Sequence, residues 1–315
     1  MKILANDGIA PIGKEILEKA GFEVVTENVP QDQLIDTINK EKYDAILVRS
    51  ATKIRKDIID ACPSIKLVGR GGVGMDNIDV EYAKSKGLHV INTPAASSQS
   101  VAELVMAHLF DCARFLFDAN RQMPAKGHTD FKALKKAYAK GIELRGKNIG
   151  IVGFGRIGQS VASYALGIGM NVLAYDPFVK NTSITLTINH QNINVAIDTV
   201  DLEKVLTESD FITLHVPAQD KPVIGDAEFT KMKDGVILIN AARGGVVDED
   251  ALLKHLDSGK VRGGGFDVFL NEPTPSENVL KHPKLSLTPH IGAATVEAQD
   301  RIGEELASQI IELLK

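Results

Sequence analysis

Residues Ile149–Gly158 read Ile-Gly-Ile-Val-Gly-Phe-Gly-Arg-Ile-Gly, a short apolar run followed at once by three glycines in the spacing G-x-G-x-x-G. The run Ile149–Val152 predicts a buried β-strand, and Arg156–Gly167 has the apolar periodicity of a helix. A glycine triplet alone is weak evidence, because such triplets also occur in surface turns. Between a strand and a helix it predicts the first turn of an α/β unit that binds a nucleotide.

Each glycine of this turn has its own physical role in a dinucleotide-binding (Rossmann) fold. Gly153 permits the sharp change of chain direction, Gly155 lets the backbone approach a pyrophosphate, and Gly158 lets the helix pack closely on the strand. The pyrophosphate would lie at the helix N-terminus, where backbone amides and the helix dipole favour an anion. Arg156 and Ile157 therefore join the three glycines as candidate cofactor-binding residues.

The second strand of this unit, Asn171–Tyr175, is followed by a candidate ribose-binding acid, Asp176. Its separation from the glycines is close to the spacing of about 20 residues expected in this fold. A carboxylate there accepts hydrogen bonds from both ribose hydroxyls and repels a 2′-phosphate, so the sequence predicts NAD rather than NADP. The alternative is a purely structural glycine turn with a solvated Asp176.

Apolar runs of strand length alternate with amphipathic helical stretches along the chain, in two series. The strands read as continuous apolar runs, which is typical of parallel sheets covered on both faces. Between the two series, a stretch beginning at Ser100 predicts one long helix, with Ser100 as the N-cap and Glu103 completing a capping box. The sequence therefore predicts the α/β class, with two parallel-sheet domains of Rossmann-like or flavodoxin-like form.

Composition excludes several classes of protein. With 315 residues, of which 44% are hydrophobic and 24% charged, the chain is long enough for two globular domains. A net charge of −5 argues against a nucleic-acid partner. Apolar runs shorter than the roughly 18 residues of a membrane span, and an N-terminus without a signal-peptide core, predict a cytoplasmic protein that does not bind membranes. Cys62 and Cys112 predict buried thiols, and no spacing of ligands indicates a metal.

One segment has no clear place in the alternation of strands and helices. Residues Thr182–Ala196 are rich in Asn, Thr and Ile and show partial period-two alternation. This pattern predicts an edge strand or a surface excursion from the fold.

Several further motifs, in order along the chain, resemble those of the D-isomer-specific 2-hydroxyacid dehydrogenases, and within that family a short form of D-3-phosphoglycerate dehydrogenase. The resemblance covers nearly the whole chain. Besides the glycine turn and YDP, it rests on GRGGVGMDNID, NTPAASSQSVAEL, DFITLHVP, INAARGGVVDEDAL, FDVFLNEP and TPHIGAAT.

The resemblance implies a catalytic trio of Arg243 in AARGG, Glu272 in NEP and His290 in TPHIG. Oxidation of a 2-hydroxy acid needs a base near the hydroxyl group, and histidine suits that task. Glu272 would fix the imidazole tautomer, and Arg243 would bind the substrate carboxylate and polarise the C2 oxygen. Taken singly, each is equally a surface arginine, a solvated glutamate or a strand-end histidine.

The resemblance also implies further residues around the cofactor. His215 and Pro217 in ITLHVP, with Ala241 before the candidate catalytic arginine, are expected to line the cofactor cleft. Asp267 in FDVF resembles a position beside the nicotinamide carboxamide, and a core or capping role fits the sequence equally well.

For the substrate, the loop containing Gly72 and Val73 can present backbone amides to a carboxylate, as anion-binding nests do. Arg49 and Arg70 end two neighbouring strands, and the resemblance implies that they contribute a phosphate site. Lys136 is a further candidate, which would act across a dimer, although a solvated lysine is the simpler interpretation. The arginines alternatively form an interdomain ion pair.

The chain departs from the family pattern in places. It contains no Trp and has Leu134 and Tyr138 where the family commonly carries one, and Ser97 stands where many relatives carry Asn. These changes affect the expected substrate contacts and leave the catalytic trio in place. The chain ends at Lys315 after the closing helix, so regulation by serine through an added domain is not expected.

The resemblance implies a discontinuous substrate domain, residues 1–98 and 291–315, and an NAD-binding domain, residues 99–290, with the active site in a cleft between them. The implied function is NAD-dependent oxidation of 3-phospho-D-glycerate to 3-phosphohydroxypyruvate, the first step of serine biosynthesis, by a homodimer. Another D-2-hydroxyacid dehydrogenase, such as a glyoxylate or hydroxypyruvate reductase, is the main alternative. A non-enzymatic NAD-sensing scaffold is a remote one.

Overall fold

The computed structural model describes residues 1–315 and divides into two compact α/β units. The first comprises Met1–Ser100 with Ala293–Lys315, and the second Val101–Gly292. Each unit contains a parallel sheet with helices, which confirms the predicted fold class. Their roles as substrate and cofactor domains stay predictions. No helix combines the length and apolar character that crossing a membrane requires.

The strands are β1 (Lys2–Ala5), β2 (Glu23–Val25), β3 (Ala45–Val48), β4 (Leu67–Arg70), β5 (His89–Asn92), β6 (Asn148–Val152), β7 (Asn171–Tyr175), β8 (Asn181–Ile188), β9 (Gln191–Asp198), β10 (Phe211–Leu214), β11 (Val236–Asn240), β12 (Val261–Phe266) and β13 (Leu285–Leu287). The helices are α1 (Pro11–Lys19), α2 (Leu34–Glu41), α3 (Lys56–Ala61), α4 (Val80–Ser85), α5 (Ser98–Arg114), α6 (Leu116–Lys126), α7 (Phe131–Ala137), α8 (Arg156–Gly167), α9 (Leu202–Glu208), α10 (Asp226–Lys231), α11 (Glu249–Asp257), α12 (Glu277–Leu280) and α13 (Val296–Leu314). A short 3-10 turn, Gln31–Gln33, precedes α2.

The first unit is built on a five-stranded parallel sheet of order β2-β1-β3-β4-β5. Apolar side chains fill the space on both faces, under α1 and α13 on one side and under α2 to α4 on the other. Helices α1 and α13 approach closely because each contributes a glycine. A Cβ on Gly13 would lie 2.7 Å from the Cα of Gly303. The buried thiol of Cys62 lies in the second of these cores, and burial raises its pKa to about 11.

The second unit is built on a six-stranded parallel sheet of order β13-β12-β11-β10-β6-β7. All five residues of β11 are buried, and each large apolar side chain in such a strand contributes roughly 1.5–3 kcal/mol relative to its exposed state. The strand order reverses between β6 and β10. In open α/β sheets ligands bind at the carboxyl ends of the strands at such a reversal, which is where the glycine turn lies.

The segment predicted as an edge strand or surface excursion is a β-hairpin outside the six-stranded sheet. Strands β8 and β9 pair antiparallel, and the turn residues Asn189 and His190 have φ values of +46 and +65. Two consecutive left-handed residues are typical of a two-residue hairpin turn. Ile184 is buried in the core beneath the hairpin, whereas Thr185 and Thr187 donate hydrogen bonds across the outer face to two asparagines of β9.

The prediction of one long connecting helix that begins at Ser100 is wrong in two respects. It begins at Ser98, and the Ser100 hydroxyl bonds Thr295 at 2.8 Å instead of capping a helix. It also ends at Arg114, because Phe115 adopts a left-handed conformation with φ +58. The carbonyl of Ala113 accepts the amide of Ile142 from a distant part of the chain, so the helix ladder is interrupted there.

Candidate active site

The glycine turn joins the end of β6 to the start of α8. Gly153 has φ +91, and a Cβ there would lie 2.5 Å from the carbonyl oxygen of His215. A Cβ on Gly158 would lie 2.3 Å from the carbonyl oxygen of Gly153. Neither position has room for a side chain, so the two glycines allow α8 to pack directly against the strand ends.

Gly155 faces open space, since no heavy atom lies within 4 Å of a Cβ built there. It is the N-cap residue of α8, and no side chain caps this helix. The amides of Arg156 and Ile157 therefore begin a helix whose positive end is open to an anion. In this respect the residues present fit the pyrophosphate of NAD.

Asp176 follows β7, and its carboxylate already accepts three backbone hydrogen bonds. Oδ2 accepts from the amide of Phe154 at 2.8 Å, and Oδ1 accepts from Phe178 at 2.8 Å and Val179 at 3.1 Å. A carboxylate offers about four acceptor positions, so one remains, on Oδ2. A contact to one ribose hydroxyl fits this arrangement, whereas the expected contact to both requires one amide to be released.

The residues that follow β10 and β11 lie at the same edge of the sheet. The ring of His215 is half-buried, with Nε2 3.0 Å from the Thr213 hydroxyl and Nδ1 buried without a hydrogen-bond partner. Burial lowers the pKa of His215 to about 3, so the ring is neutral. Pro217 is exposed and Ala241 half-buried. Their contacts with NAD stay predictions.

Arg243 lies in a turn built by Asn240, the last residue of β11. The Asn240 side chain accepts the amide of Ala242 at 3.1 Å and donates to the carbonyl of Arg243 at 2.9 Å. Nη1 of Arg243 donates to the carbonyl of Ala242 at 2.7 Å. The motifs of the sequence do not single out Asn240, although an asparagine after an apolar strand is a recognised signal for this type of turn.

Glu272 and His290 form a hydrogen-bonded pair, with 2.8 Å between Oε2 and Nδ1. Oε1 of Glu272 accepts the amide of Phe269 at 2.8 Å. Burial alone would raise the pKa of Glu272, but the hydrogen bonds from His290 and Phe269, together with the charge of Arg243, outweigh burial and lower it. An ionised carboxylate only accepts, so Nδ1 of His290 carries the hydrogen and Nε2 of the neutral ring is the basic atom.

Asp267 follows β12 and is buried, with 1% of its surface exposed. Its carboxylate accepts hydrogen bonds from the Thr288 hydroxyl and from the amides of Ile291 and Gly292, at 2.7, 2.8 and 2.8 Å. Its main-chain oxygen accepts the amide of His290 at 2.8 Å. These bonds give Asp267 a capping role, and its contact with the nicotinamide carboxamide stays a prediction.

The two candidate phosphate-binding arginines lie side by side in the first unit. Val48 pairs with Arg70 across β3 and β4, and Nε of Arg70 donates to the carbonyl of Arg49 at 3.1 Å. A Cβ on Gly72 would lie 3.0 Å from Nη1 of Arg70, so this guanidinium lies against the Gly72 loop. A Cβ on Gly71 would lie 3.7 Å from Cγ of Arg49, so the strand ends bring both arginine side chains to one loop.

The expectation that Gly72 presents its amide to a substrate needs correction. That amide already donates to the hydroxyl of Thr93 at 2.9 Å, in a buried position, and the amide of Gly71 donates to Val48 at 2.9 Å. Val73, which is 36% exposed, is the next residue able to contact an anion through its backbone. Anion binding by this loop stays a prediction, which now concerns the amides of Val73 and Gly74.

Lys136 is exposed on α7 in the second unit. Tyr138 follows it and donates to Asp118 at 2.7 Å, while burial and this partner raise the pKa of Tyr138 to about 12. The contact of Lys136 with substrate stays a prediction.

A family model described as the D-isomer-specific 2-hydroxyacid dehydrogenase NAD-binding domain matches residues 106–292, more than half of the chain. The chain belongs to this family. The match places the glycine turn, Asp176 and the Arg243–Glu272–His290 set within the dehydrogenase's NAD-binding domain, and the prediction of NAD as the cofactor is confirmed.

The relatives that match this dehydrogenase bear different enzyme names. A hydroxypyruvate reductase of Thermotoga maritima is 43% identical over 322 residues, covering 99% of this chain and 98% of the relative. A D-3-phosphoglycerate dehydrogenase of Archaeoglobus fulgidus is 39% identical over 319 residues, covering 100% of this chain and 58% of the relative. This chain therefore spans little more than half the length of that relative. The NAD-bound structure of a 3-phosphoglycerate dehydrogenase from Entamoeba histolytica has a TM-score of 0.77 at 30% identity, covering 100% and 95% of the two chains.

Proposed function

We propose that this dehydrogenase interconverts 3-phospho-D-glycerate and 3-phosphohydroxypyruvate with NAD. The observation that supports this substrate is the placement of Arg49 and Arg70 at adjacent strand ends beside the Gly72 loop, where Nε of Arg70 donates to the carbonyl of Arg49. Two arginines at one loop suit a dianionic phosphate, because a guanidinium group offers several donors in a planar fork.

In the proposed mechanism, His290 is the acid–base residue. Nε2 takes the proton of the C2 hydroxyl during oxidation and returns it to the keto oxygen during reduction. Glu272 holds Nδ1–H at 2.8 Å and stays ionised because its pKa is lowered, so it stabilises the imidazolium that forms. Bound NAD supplies the hydride acceptor.

Arg243 binds and orients the substrate. Its turn is fixed by the two hydrogen bonds of Asn240, and the guanidinium lies close enough to Glu272 to lower the pKa of that carboxyl group. We assign it the substrate carboxylate and the C2 oxygen, where a positive charge stabilises the negative charge that develops during proton transfer.

The test is a comparison of phosphorylated and unphosphorylated substrates in Arg49→Gln and Arg70→Gln. A lost charge-assisted hydrogen bond is worth about 1.5–3 kcal/mol, so we expect each variant to lose roughly 10- to 100-fold in kcat/KM for 3-phosphohydroxypyruvate and much less for hydroxypyruvate. Lys84→Gln removes a positive charge from exposed α4 of the same unit and is the matched control. Equal losses for both substrates would show that the arginines do not bind phosphate.

The second candidate is a hydroxypyruvate reductase. It is favoured by the Thermotoga maritima relative, which matches this chain over 98% of its own length. In that case wild-type kcat/KM is higher for hydroxypyruvate than for its phosphorylated form. Steady-state assays of both keto acids with NADH decide between the two candidates.

We also propose that the protein is a homodimer. Four large apolar side chains are between 43% and 58% exposed on α5, α6 and α7: Phe110, Leu116, Met123 and Phe131. Exposed apolar side chains on consecutive helices suit a protein interface. Light scattering is expected to give the mass of a dimer for the wild type and a larger monomer fraction for Phe131→Asp. Phe178→Asp, at a side chain that is 91% exposed and lies outside these three helices, is the control.

A further inference from the structure

A histidine outside the proposed catalytic set is buried in the second unit with both ring nitrogens hydrogen-bonded. His108, on α5, is 3% exposed. Its Nδ1 lies 3.0 Å from the Ser286 hydroxyl and its Nε2 lies 3.1 Å from the Thr288 hydroxyl. Strand β12 makes room for the ring, because a Cβ on Gly265 would lie 2.5 Å from the Cβ of His108. A buried imidazole is tolerated only where its polar atoms have partners, as they do here.

Through Thr288, His108 is connected by hydrogen bonds to the residues around His290. The Thr288 hydroxyl donates to Oδ1 of Asp267, and the same carboxylate accepts the amides of Ile291 and Gly292. His290 itself has φ +54, a left-handed conformation that residues other than glycine adopt rarely and at an energetic cost. The Asp267 carboxylate therefore holds both ends of a turn that keeps His290 in an unfavourable backbone conformation.

The number of hydrogens on each group determines which group donates in these hydrogen bonds. An ionised Asp267 only accepts, so the single hydroxyl hydrogen of Thr288 points to it. The oxygen of Thr288 must then accept from His108, which places a hydrogen on Nε2. Burial lowers the pKa of His108 against the charges of Asp267 and Asp111, which favours a neutral ring with a single hydrogen. The same count applies to Ser286, whose hydroxyl donates to the Asp111 carboxylate on α5 and whose oxygen would accept from Nδ1. A neutral ring supplies only one of these two hydrogens. Asp267 has a larger effect on the pKa of the ring than Asp111, which favours the hydrogen on Nε2.

We propose that His108 is a positioning residue for the dehydrogenase reaction: its Nε2–H, acting through Thr288, orients the Asp267 carboxylate and thereby fixes the backbone that carries the His290 imidazole. The inference rests on the proposed role of His290 for its effect on turnover. Its structural part, the control of the turn by His108, is independent of any substrate.

The structural part is tested by amide hydrogen exchange in the full-length protein. We expect His108→Leu and Thr288→Val to speed exchange of the Ile291 and Gly292 amides at least about 10-fold relative to amides of β11, which report global stability. Ser286→Ala is the matched control, because it cuts the Asp111 branch and keeps the Nε2 link. Unchanged exchange at Ile291 and Gly292 relative to β11 in His108→Leu would overturn the proposal.

The catalytic part is tested by kinetics on the 2-keto acid that the wild type reduces. We expect His108→Leu to lower kcat about 10-fold with KM for NADH unchanged, since a small displacement of a catalytic group slows the reaction strongly. His108→Gln, which carries an amide N–H toward Thr288, is expected to restore most of kcat. The double variant His108→Leu/Thr288→Val is expected to be no worse than Thr288→Val, because both lie on one path.

The experiments distinguish failure of the positioning role from failure of the proposed function. Additive losses in the double variant, or equal losses in His108→Leu and Ser286→Ala, would show a general packing role and contradict the proposal. A wild type that turns over no 2-keto acid would contradict the proposed function, while the exchange experiment still decides the positioning role.

Discussion

The lowered pKa of Glu272 has two consequences at the scale of the residue. The carboxylate, bonded by His290 and by the amide of Phe269 against the effect of burial, is ionised throughout the neutral range. In the proposed mechanism it stabilises the protonated form of the His290 ring. Its contribution to the free energy of unfolding is present above the ordinary glutamate pKa and is lost as the pH falls through the lowered value.

We expect Glu272→Gln to lower kcat for oxidation about 100-fold, within the range known for acid–base groups. The acidic limb of the pH–rate profile is expected to move to lower pH, because glutamine has no charge to stabilise the imidazolium. Profiles of kcat against pH measure both effects. Glu277→Gln, at an exposed position on α12, is the control, and an unmoved acidic limb would contradict the assigned role.

At Asp176, charge and hydrogen bonding can be separated by two variants. Asp176→Asn keeps an acceptor for the three backbone amides and removes the charge that repels a 2′-phosphate. We expect it to narrow the difference between the Kd values of NADH and NADPH, and Asp176→Ala to raise the Kd of NADH as well. Fluorescence titration measures both constants. Unaltered selectivity in both variants would remove Asp176 from cofactor discrimination.

At the scale of elements, the β8–β9 hairpin is attached to the second unit by one apolar face. Ile184 is 4% exposed and packs in the core, whereas Ile188 near the turn is 51% exposed. The outer face carries threonine and asparagine pairs, which make hydrogen bonds and bury little apolar surface. The stability of the hairpin therefore depends on the buried face.

This asymmetry predicts different results for two identical substitutions in one strand. Ile184→Ala removes buried methyl groups from a packed site and is expected to lower the free energy of unfolding by about 2–5 kcal/mol. Ile188→Ala is expected to change it by about 0.5 kcal/mol or less. Denaturant unfolding measures the difference. Similar losses at both positions would show that the hairpin packs along its whole length.

At the scale of the whole molecule, the neutral ring of His215 makes the free energy of unfolding sensitive to acid. The pKa of His215 is lowered to about 3, while an unfolded histidine titrates near 6.5. Between these values the unfolded chain binds more protons than the folded one, so stability falls as the pH falls from about 6.5 toward 3.

We expect His215→Gln to flatten the dependence of unfolding free energy on pH in this window, by up to about 1.4 kcal/mol per pH unit. Denaturant titrations at several pH values measure the slope. His190→Gln, at the exposed hairpin turn, is the control and is expected to leave the slope unchanged. A variant slope equal to that of the wild type would mean that His215 takes up its proton in the folded state.

The amino-acid sequence by itself determined the α/β class, the glycine turn and the presence of a closing helix, which runs over Val296–Leu314. These features depend on local rules. Side-chain spacing sets which face of a helix or strand is apolar, and only glycine fits where a Cβ would strike the backbone, as at Gly158. The ordered motifs along the chain, three of which contain Arg243, Glu272 and His290, likewise indicated the family.

Only the tertiary structure determined which polar groups form hydrogen bonds with one another. The amide of Gly72 is occupied by Thr93, the helix predicted from Ser100 is interrupted at Phe115, and His108 bonds a serine 178 residues away. Each outcome depends on groups that are distant in sequence and adjacent in space. A buried donor or acceptor must find a partner wherever the folded chain brings one, and local sequence patterns contain no information about that partner.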